Sequence, residues 1–125
     1  MSLFRNKHPL RRADSFKFAF EGIFHALVNE PNFRIQIIIA LLSIAFGFYF
    51  NISNVEWALL TISMGLLLTA EMINTVVEEV IDYFIKELHN GAKVIKDLSA
   101  GFVLITAAIA AIILCLIFGP KVILS

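Results

Sequence analysis

Three apolar runs, each long enough to cross a bilayer, constrain this chain more than any other feature. Residues 33–50 form the first, about 18 residues and just sufficient to span the hydrocarbon core. A second starts near Val55 and Trp57 and stays apolar to Ala70, and its helical pattern continues to about Phe84. The third runs over 98–118 and is closed by Gly119-Pro120. It is rich in small residues (Ala100, Gly101, Ala107, Ala108, Ala110 and Ala111), which let membrane helices approach closely. Composition agrees: 59% of the 125 residues are hydrophobic and only 16% charged. A mean hydropathy of +0.86 is too apolar for a soluble domain of this size. The expected fold class is an all-α integral membrane protein, one domain over 1–125, with three transmembrane helices at 33–50, 56–84 and 98–118.

Residues 14–29 read differently. Phe16, Phe20, Ile23, Phe24 and Leu27 fall on one stripe, and Lys17, Glu21 and His25 recur on a more polar side. Basic residues upstream and phenylalanines on one face suit an amphipathic helix lying in the membrane interface, or one packed on the other helices. Pro31 disfavours helical geometry in Glu30, so the chain should break around Asn29–Asn32. The basic N-terminus leads into this amphipathic stretch and not into an apolar core, so no cleavable signal peptide is read.

Charge sets the orientation. Arg5, Lys7, Arg11, Arg12 and Lys17 crowd the N-terminus, and Lys86, Lys93 and Lys96 sit in a second polar segment, over 86–97. The turn at 51–54 is followed only by Glu56, and the tail holds only Lys121. The N-terminus and the second connection are therefore expected on the cytoplasmic side. Net charge is zero, which argues against nucleic acid as a partner. Cys115, the single cysteine, lies in an apolar run and reads as inert. Trp57 reads as an interface anchor, and Lys93 as a residue that snorkels to lipid headgroups. Glu79 reads as a solvated helix-end charge, and His8, His25 and His89 as interfacial histidines. The phenylalanines read as lipid-facing and packing residues.

The end of the second run carries the chemistry. Glu71, Asn74, Glu78 and Asp82 are spaced three, four and four apart, which places them within roughly 80° of arc on one helical face. Acidic residues at mid-bilayer cost about 2.5–3.5 kcal/mol each on insertion scales, so three in line imply a use. A helix over 56–86 would be about 45 Å long, more than the roughly 30 Å core. The stripe should then occupy the emerging cytoplasmic end, with Glu71 deepest. Glu30 ends the surface helix at the same boundary, and Glu30 with Glu78 are the carboxylates expected to hold a hard divalent cation. A carboxylate among like charges suits a general base, and Glu71, the deepest, is best placed to meet a lipid hydroxyl. Lys96 beside Asp97 offers a cation for phosphate charge. No soluble-type nucleotide motif is present. Spacing alone leaves three uses open: an enzyme, a small proton-coupled transporter using the acidic stripe, or a polar seam in a structural assembly.

The segment Ala70-Glu71-Met72-Ile73-Asn74-Thr75-Val76-Val77-Glu78-Glu79-Val80-Ile81-Asp82 resembles the signature E-x-x-N-(S/T)-x-x-E-x-x-x-D of the prokaryotic diacylglycerol kinase family. Residues 92–101 resemble its K-D-x-x-(A/S)-(A/G) entry to the third span, through Lys96-Asp97 and Ala100-Gly101. Asn29-Glu30 with Phe33-Arg34 resembles its N-E-x-x-F-(R/K) element, and residues 16–22 its opening surface helix. The match is gap-free and covers nearly the whole chain. The resemblance implies a lipid kinase that uses ATP and Mg²⁺, built as a homotrimer in the bacterial cytoplasmic (inner) membrane with active sites shared between subunits. It implies Glu71 as catalytic base, Asn74 as a neighbour that orders the site, and Glu30 and Glu78 as metal ligands. Lys96 and Asp97 fall at nucleotide-site positions, with Lys96 toward the phosphates, and Arg11, Asp82 and Gly91 fall near the nucleotide. Of the family's two substrate groups, Ser15-Phe16-Lys17-x-Ala19-Phe20-Glu21-Gly22 and the 92–101 segment resemble the undecaprenol group. The Asn29–Arg34 element is closer to the diacylglycerol group. Undecaprenol is the expected substrate and diacylglycerol the alternative.

Overall fold

The computed structural model describes residues 10–85 and 90–124, with side chains from Asp14 onward. Those residues form four helices: α1 (Leu10–Asn29), α2 (Pro31–Phe50), α3 (Asn54–Phe84) and α4 (Asn90–Ile123). By length and composition α2, α3 and α4 can each cross a membrane.

Each junction follows from local chemistry. Between α1 and α2 the break is a single residue. Glu30 is extended (φ −111°, ψ 103°), as the following Pro31 requires, and Pro31 then serves at the start of α2, where a missing N–H costs nothing. Arg34 Nη1 donates to the carbonyl oxygens of Leu27 (3.1 Å) and Val28 (2.7 Å), so the first turn of α2 satisfies the last turn of α1. α2 stops at Asn51, whose left-handed backbone (φ 51°) asparagine tolerates better than most residues. The Ile52 amide then reaches back to the Gly47 carbonyl (3.1 Å), and the Ile52 side chain is buried. α3 opens on a reciprocal cap: Ser53 Oγ accepts from the Glu56 amide, and Glu56 Oε1 accepts from the Ser53 amide.

α3 and α4 run antiparallel, with a salt bridge at each end. Lys96 Nζ meets Asp82 Oδ1 at 2.6 Å, and Lys121 Nζ meets Glu56 Oε2 at 2.9 Å. Along α3 the two bridges are 26 residues apart (56 to 82), and along α4 25 (96 to 121), about 38–39 Å on either helix. The helices therefore stay in register across a full membrane thickness. The apolar core lies toward the Glu56 end, where Ala40, Ile52, Leu60, Met64, Leu67, Ala110 and Ile117 form one buried cluster. Trp57 packs into that end. Its ring lies 4.9 Å from the Phe48 ring, and its indole passes so close to Gly47 that a Cβ there would sit 2.5 Å from it. Trp57 is thus a packing residue as well as an aromatic near a helix end.

Two expectations change. The segment expected as a polar connection to residue 98 is already helical from Asn90, because asparagine opens helices as readily as it ends them. At the other end, Gly119-Pro120 does not close the helix. The pre-proline clash falls on a Cβ that Gly119 lacks, and the Leu124 amide still donates to the Pro120 carbonyl at 2.9 Å. In α1, Phe16, Phe18, Phe20 and Phe24 are exposed, while Ala26 is buried. Lys86 and His89, and the side chain of Arg11, lie outside the described residues.

Candidate functional site

The polar stripe of α3 faces inward at its deep end and outward at its shallow end. Glu71 is 2% exposed, and Asn74 and Thr75 beside it are also buried. Glu78 is half-buried one turn on, and Asp82 is exposed at the helix end. Three-four-four spacing on a helix that emerges from its neighbours produces this gradient. Asn74 Nδ2 donates to Glu78 Oε1 at 3.2 Å. The Asn74 carbonyl oxygen is buried and has no partner.

α2 supplies two further groups. Glu30 stands in the N-cap position of α2, yet its side chain makes no capping hydrogen bond, so its carboxylate is not used by the helix. Gln36 lies 14 residues before the end of α2, and Glu71 lies 17 residues after the start of α3. In an antiparallel pair those positions are level to within about a turn. Gln36 is thus the polar side chain of α2 at the height of Glu71, with its amide oxygen buried and unpartnered, and both Glu30 and Glu78 are near enough for their charge to act on the Glu71 carboxyl. Among the described residues, no group of three His, Cys, Asp or Glu side chains is placed to hold a metal unaided.

α4 contributes Lys96, whose ammonium is paired with Asp82 and lies within the field of Glu78. Asp97 goes elsewhere. It is one residue, about 100°, further round the helix, and it accepts from Lys93 at 2.6 Å on an exposed face. There it lines an outer groove with Val94, Leu98, Gly101, Phe102 and Ile105. Lys93 is therefore in an ion pair within its own helix. Gly91 is exposed in the first turn of α4. The structure thus brings Glu30, Glu71, Asn74, Glu78, Asp82 and Lys96 to one end of the molecule, and places Asp97 outside that group. Glu79 lies off the stripe, in a groove of about 290 Å³ with Gly22, His25 and Ala26 of α1.

Gln36 was absent from the motif reading. Its signal in the sequence is a lone amide among Ile35, Ile37, Ile38 and Ile39, at the height of Glu71. A larger groove, about 550 Å³, is at the opposite end between α2 and α4. It is lined by residues such as Phe46, Phe50, Leu114, Cys115 and Phe118, with no acidic or basic group. Size therefore does not locate the chemistry here; the clustered carboxylates do.

Comparison with known proteins gives a consistent result. Residues 17–118 match the family described as prokaryotic diacylglycerol kinase. An undecaprenol kinase of Bacillus subtilis (strain 168) is 35% identical over 107 residues, 86% of this chain and 87% of that protein. A diacylglycerol kinase of Synechocystis sp. is 34% identical over 109 residues, 85% of this chain and 62% of that protein. A diacylglycerol kinase of Escherichia coli (strain K12) is 27% identical over 100 residues, 80% of this chain and 82% of that protein. These matches lend no support to the transporter reading.

Proposed function

The chain belongs to the prokaryotic diacylglycerol kinase family and is a lipid kinase, and we propose that it transfers the γ-phosphoryl group of ATP, with Mg²⁺, to the hydroxyl of a membrane lipid alcohol, undecaprenol first and diacylglycerol as the alternative. The observation that carries the site assignment is the gradient along α3: a carboxyl at 2% exposure, followed by half-exposed and exposed carboxylates on the same face. A hydroxyl arriving from the bilayer meets the shielded end, and a water-soluble nucleotide meets the open end.

Glu71 accepts the hydroxyl proton as the lipid oxygen bonds to the γ-phosphorus. The bond from that phosphorus to the β,γ-bridging oxygen breaks, and ADP leaves. Lys96 lies toward the phosphates, and Asp82 holds its ammonium at that end of the molecule before nucleotide binds. Asn74 fixes Glu78 through its amide N–H. Glu30 and Glu78 are the carboxylates that would hold Mg²⁺. They fit a hard cation, since both offer oxygen donors and, among the described residues, neither is taken up by a salt bridge. Two carboxylates leave room for phosphate oxygens and water, the usual Mg²⁺ arrangement at a nucleotide. When bound, the ion neutralises charge that develops on the phosphoryl oxygens.

We further assign a homotrimer in the bacterial inner membrane, with the site on the cytoplasmic side and shared between neighbours. The outward aim of Asp97 supports sharing, because a residue turned away from its own stripe and paired, among the described residues, only within its own exposed helix face is turned toward a neighbouring subunit. Exposed phenylalanines on α1 support a helix that rests in the lipid interface. The 35% identity to a protein named undecaprenol kinase, over most of both chains, supports the first substrate. The test is side-by-side turnover of undecaprenol and diacylglycerol by purified protein with MgATP in mixed micelles. Higher kcat/KM for undecaprenol is expected. Preference for diacylglycerol would reverse the substrate assignment, and turnover of neither would remove the phosphoryl-transfer reading.

A further inference from the structure

We propose that the Ser99 hydroxyl is a further ligand of the metal site, a neutral oxygen from α4 facing the Glu78 carboxylate across the α3–α4 interface. The inference rests on Glu78 holding the cation. Helix register places Ser99 there. Leu60, Met64 and Leu67 of α3 share the apolar core with Ile117, Ile113 and Ala110 of α4. Continuing toward the polar end in the same steps of four and three, α3 reaches Glu71, Asn74 and Glu78 while α4 reaches Thr106, Val103 and Ser99. One turn further on, Asp82 and Lys96 meet at 2.6 Å, which fixes both the level and the face. Ser99 and Glu78 thus stand opposed, with packed apolar pairs on one side of them and a salt bridge on the other.

The hydroxyl itself points to a ligand. Ser99 is 3% exposed, and its Oγ has no hydrogen-bond partner. Serine and threonine inside helices commonly donate back to a carbonyl of their own helix. Ser43, Thr61, Ser63, Thr75 and Thr106 all do so. Ser99 does not. One turn deeper, the Asn74 carbonyl oxygen is also buried and unpaired, on the residue whose amide N–H holds Glu78. A buried oxygen left unpaired is unfavourable, and alanine at position 99 would pack as closely without that penalty. A hard cation at Glu78 removes it, because such a cation takes oxygen ligands, neutral as well as charged. A serine or threonine hydroxyl beside a carboxylate is how P-loop nucleotide enzymes hold Mg²⁺. Ser99 supplies a protein oxygen beyond Glu30 and Glu78, and it comes from a third helix. Its position falls on an unspecified place in K-D-x-x-(A/S)-(A/G), so the motif does not mark it.

The experiment measures metal binding directly on the full-length protein in detergent. Ser99→Ala is probed with Mn²⁺ by electron paramagnetic resonance, in the presence of a nonhydrolysable ATP analogue. Mn²⁺ affinity is expected to fall about 10-fold, with the melting temperature unchanged. Ser99→Cys, made in a Cys115→Ala background so that the new thiol is the only one, should bind Cd²⁺, a soft cation that thiolate prefers. The readout is saturable thiolate-to-cadmium ultraviolet absorption, and adding Glu78→Gln should weaken that binding at least about 10-fold. Wild-type Mn²⁺ affinity in Ser99→Ala overturns the inference, as does Cd²⁺ binding to Ser99→Cys that is indifferent to Glu78→Gln. If Ser99→Cys does not assemble, the Ser99→Ala measurement decides alone. Mn²⁺ binding left unchanged by Glu78→Gln would instead remove Glu78 from the metal site.

Discussion

At the residue scale, the stripe on α3 divides by depth, and the division sets distinct expectations for each member. Glu71→Gln removes the proposed proton acceptor while keeping shape, and should lower kcat by about 10²- to 10⁴-fold, measured as label transferred from γ-labelled ATP to lipid. Lys96→Met should lower kcat and raise KM for ATP if, as proposed, this cation serves the phosphates. Lys121→Met breaks the equivalent bridge at the other end, to Glu56. It should leave kcat unchanged and shift the melting temperature only slightly, since half-exposed ion pairs contribute little. The contrast separates a bridge that serves the site from one that only holds register. The helical spacing of the stripe was legible in the sequence, because period and polarity are local. The neighbours of Glu71 and Lys96 on other helices were not. Gln36, level with Glu71, is 35 residues away in sequence, and Asp82, paired with Lys96, is fourteen away; both relations exist only once helices pack.

At the element scale, the junctions reward a reading from proline, asparagine and serine. Pro31, Asn51 and Ser53 each mark a boundary that local chemistry dictates. Asn90 and Pro120 were misleading for the same reason: their local preference permits more than one outcome, and tertiary packing of α4 on α3 favours the longer helix. Two substitutions probe the joints. Gly47→Ala pushes a methyl into the Trp57 indole and should destabilise the α2–α3 hairpin by about 1–3 kcal/mol, seen as a lower melting temperature in detergent. Arg34→Gln removes the hydrogen bonds to Leu27 and Val28. Faster amide hydrogen exchange is expected at the end of α1, with α3 unchanged.

At the scale of the whole molecule, the α3–α4 pair is a rod pinned at both ends, with an apolar core toward Glu56 and ionisable chemistry toward Glu30. Three spans could be read from apolar run length alone, whereas the direction in which Asp97 points could not, because adjacent residues on a helix face about 100° apart. If active sites are shared, mixing inactive Glu71→Gln subunits with inactive Asp97→Asn subunits should restore part of the activity. Independent sites would restore none. The central claim is that a shielded carboxyl at the end of α3 activates a lipid hydroxyl toward ATP. Its most direct measurement is transfer of the γ-phosphoryl label from ATP to a lipid alcohol by wild-type and Glu71→Gln protein, both shown to be folded and equally assembled. Labelled lipid phosphate from wild type and a loss of at least about 10²-fold in the variant is the predicted result; equal transfer by both, or none by wild type, would contradict it.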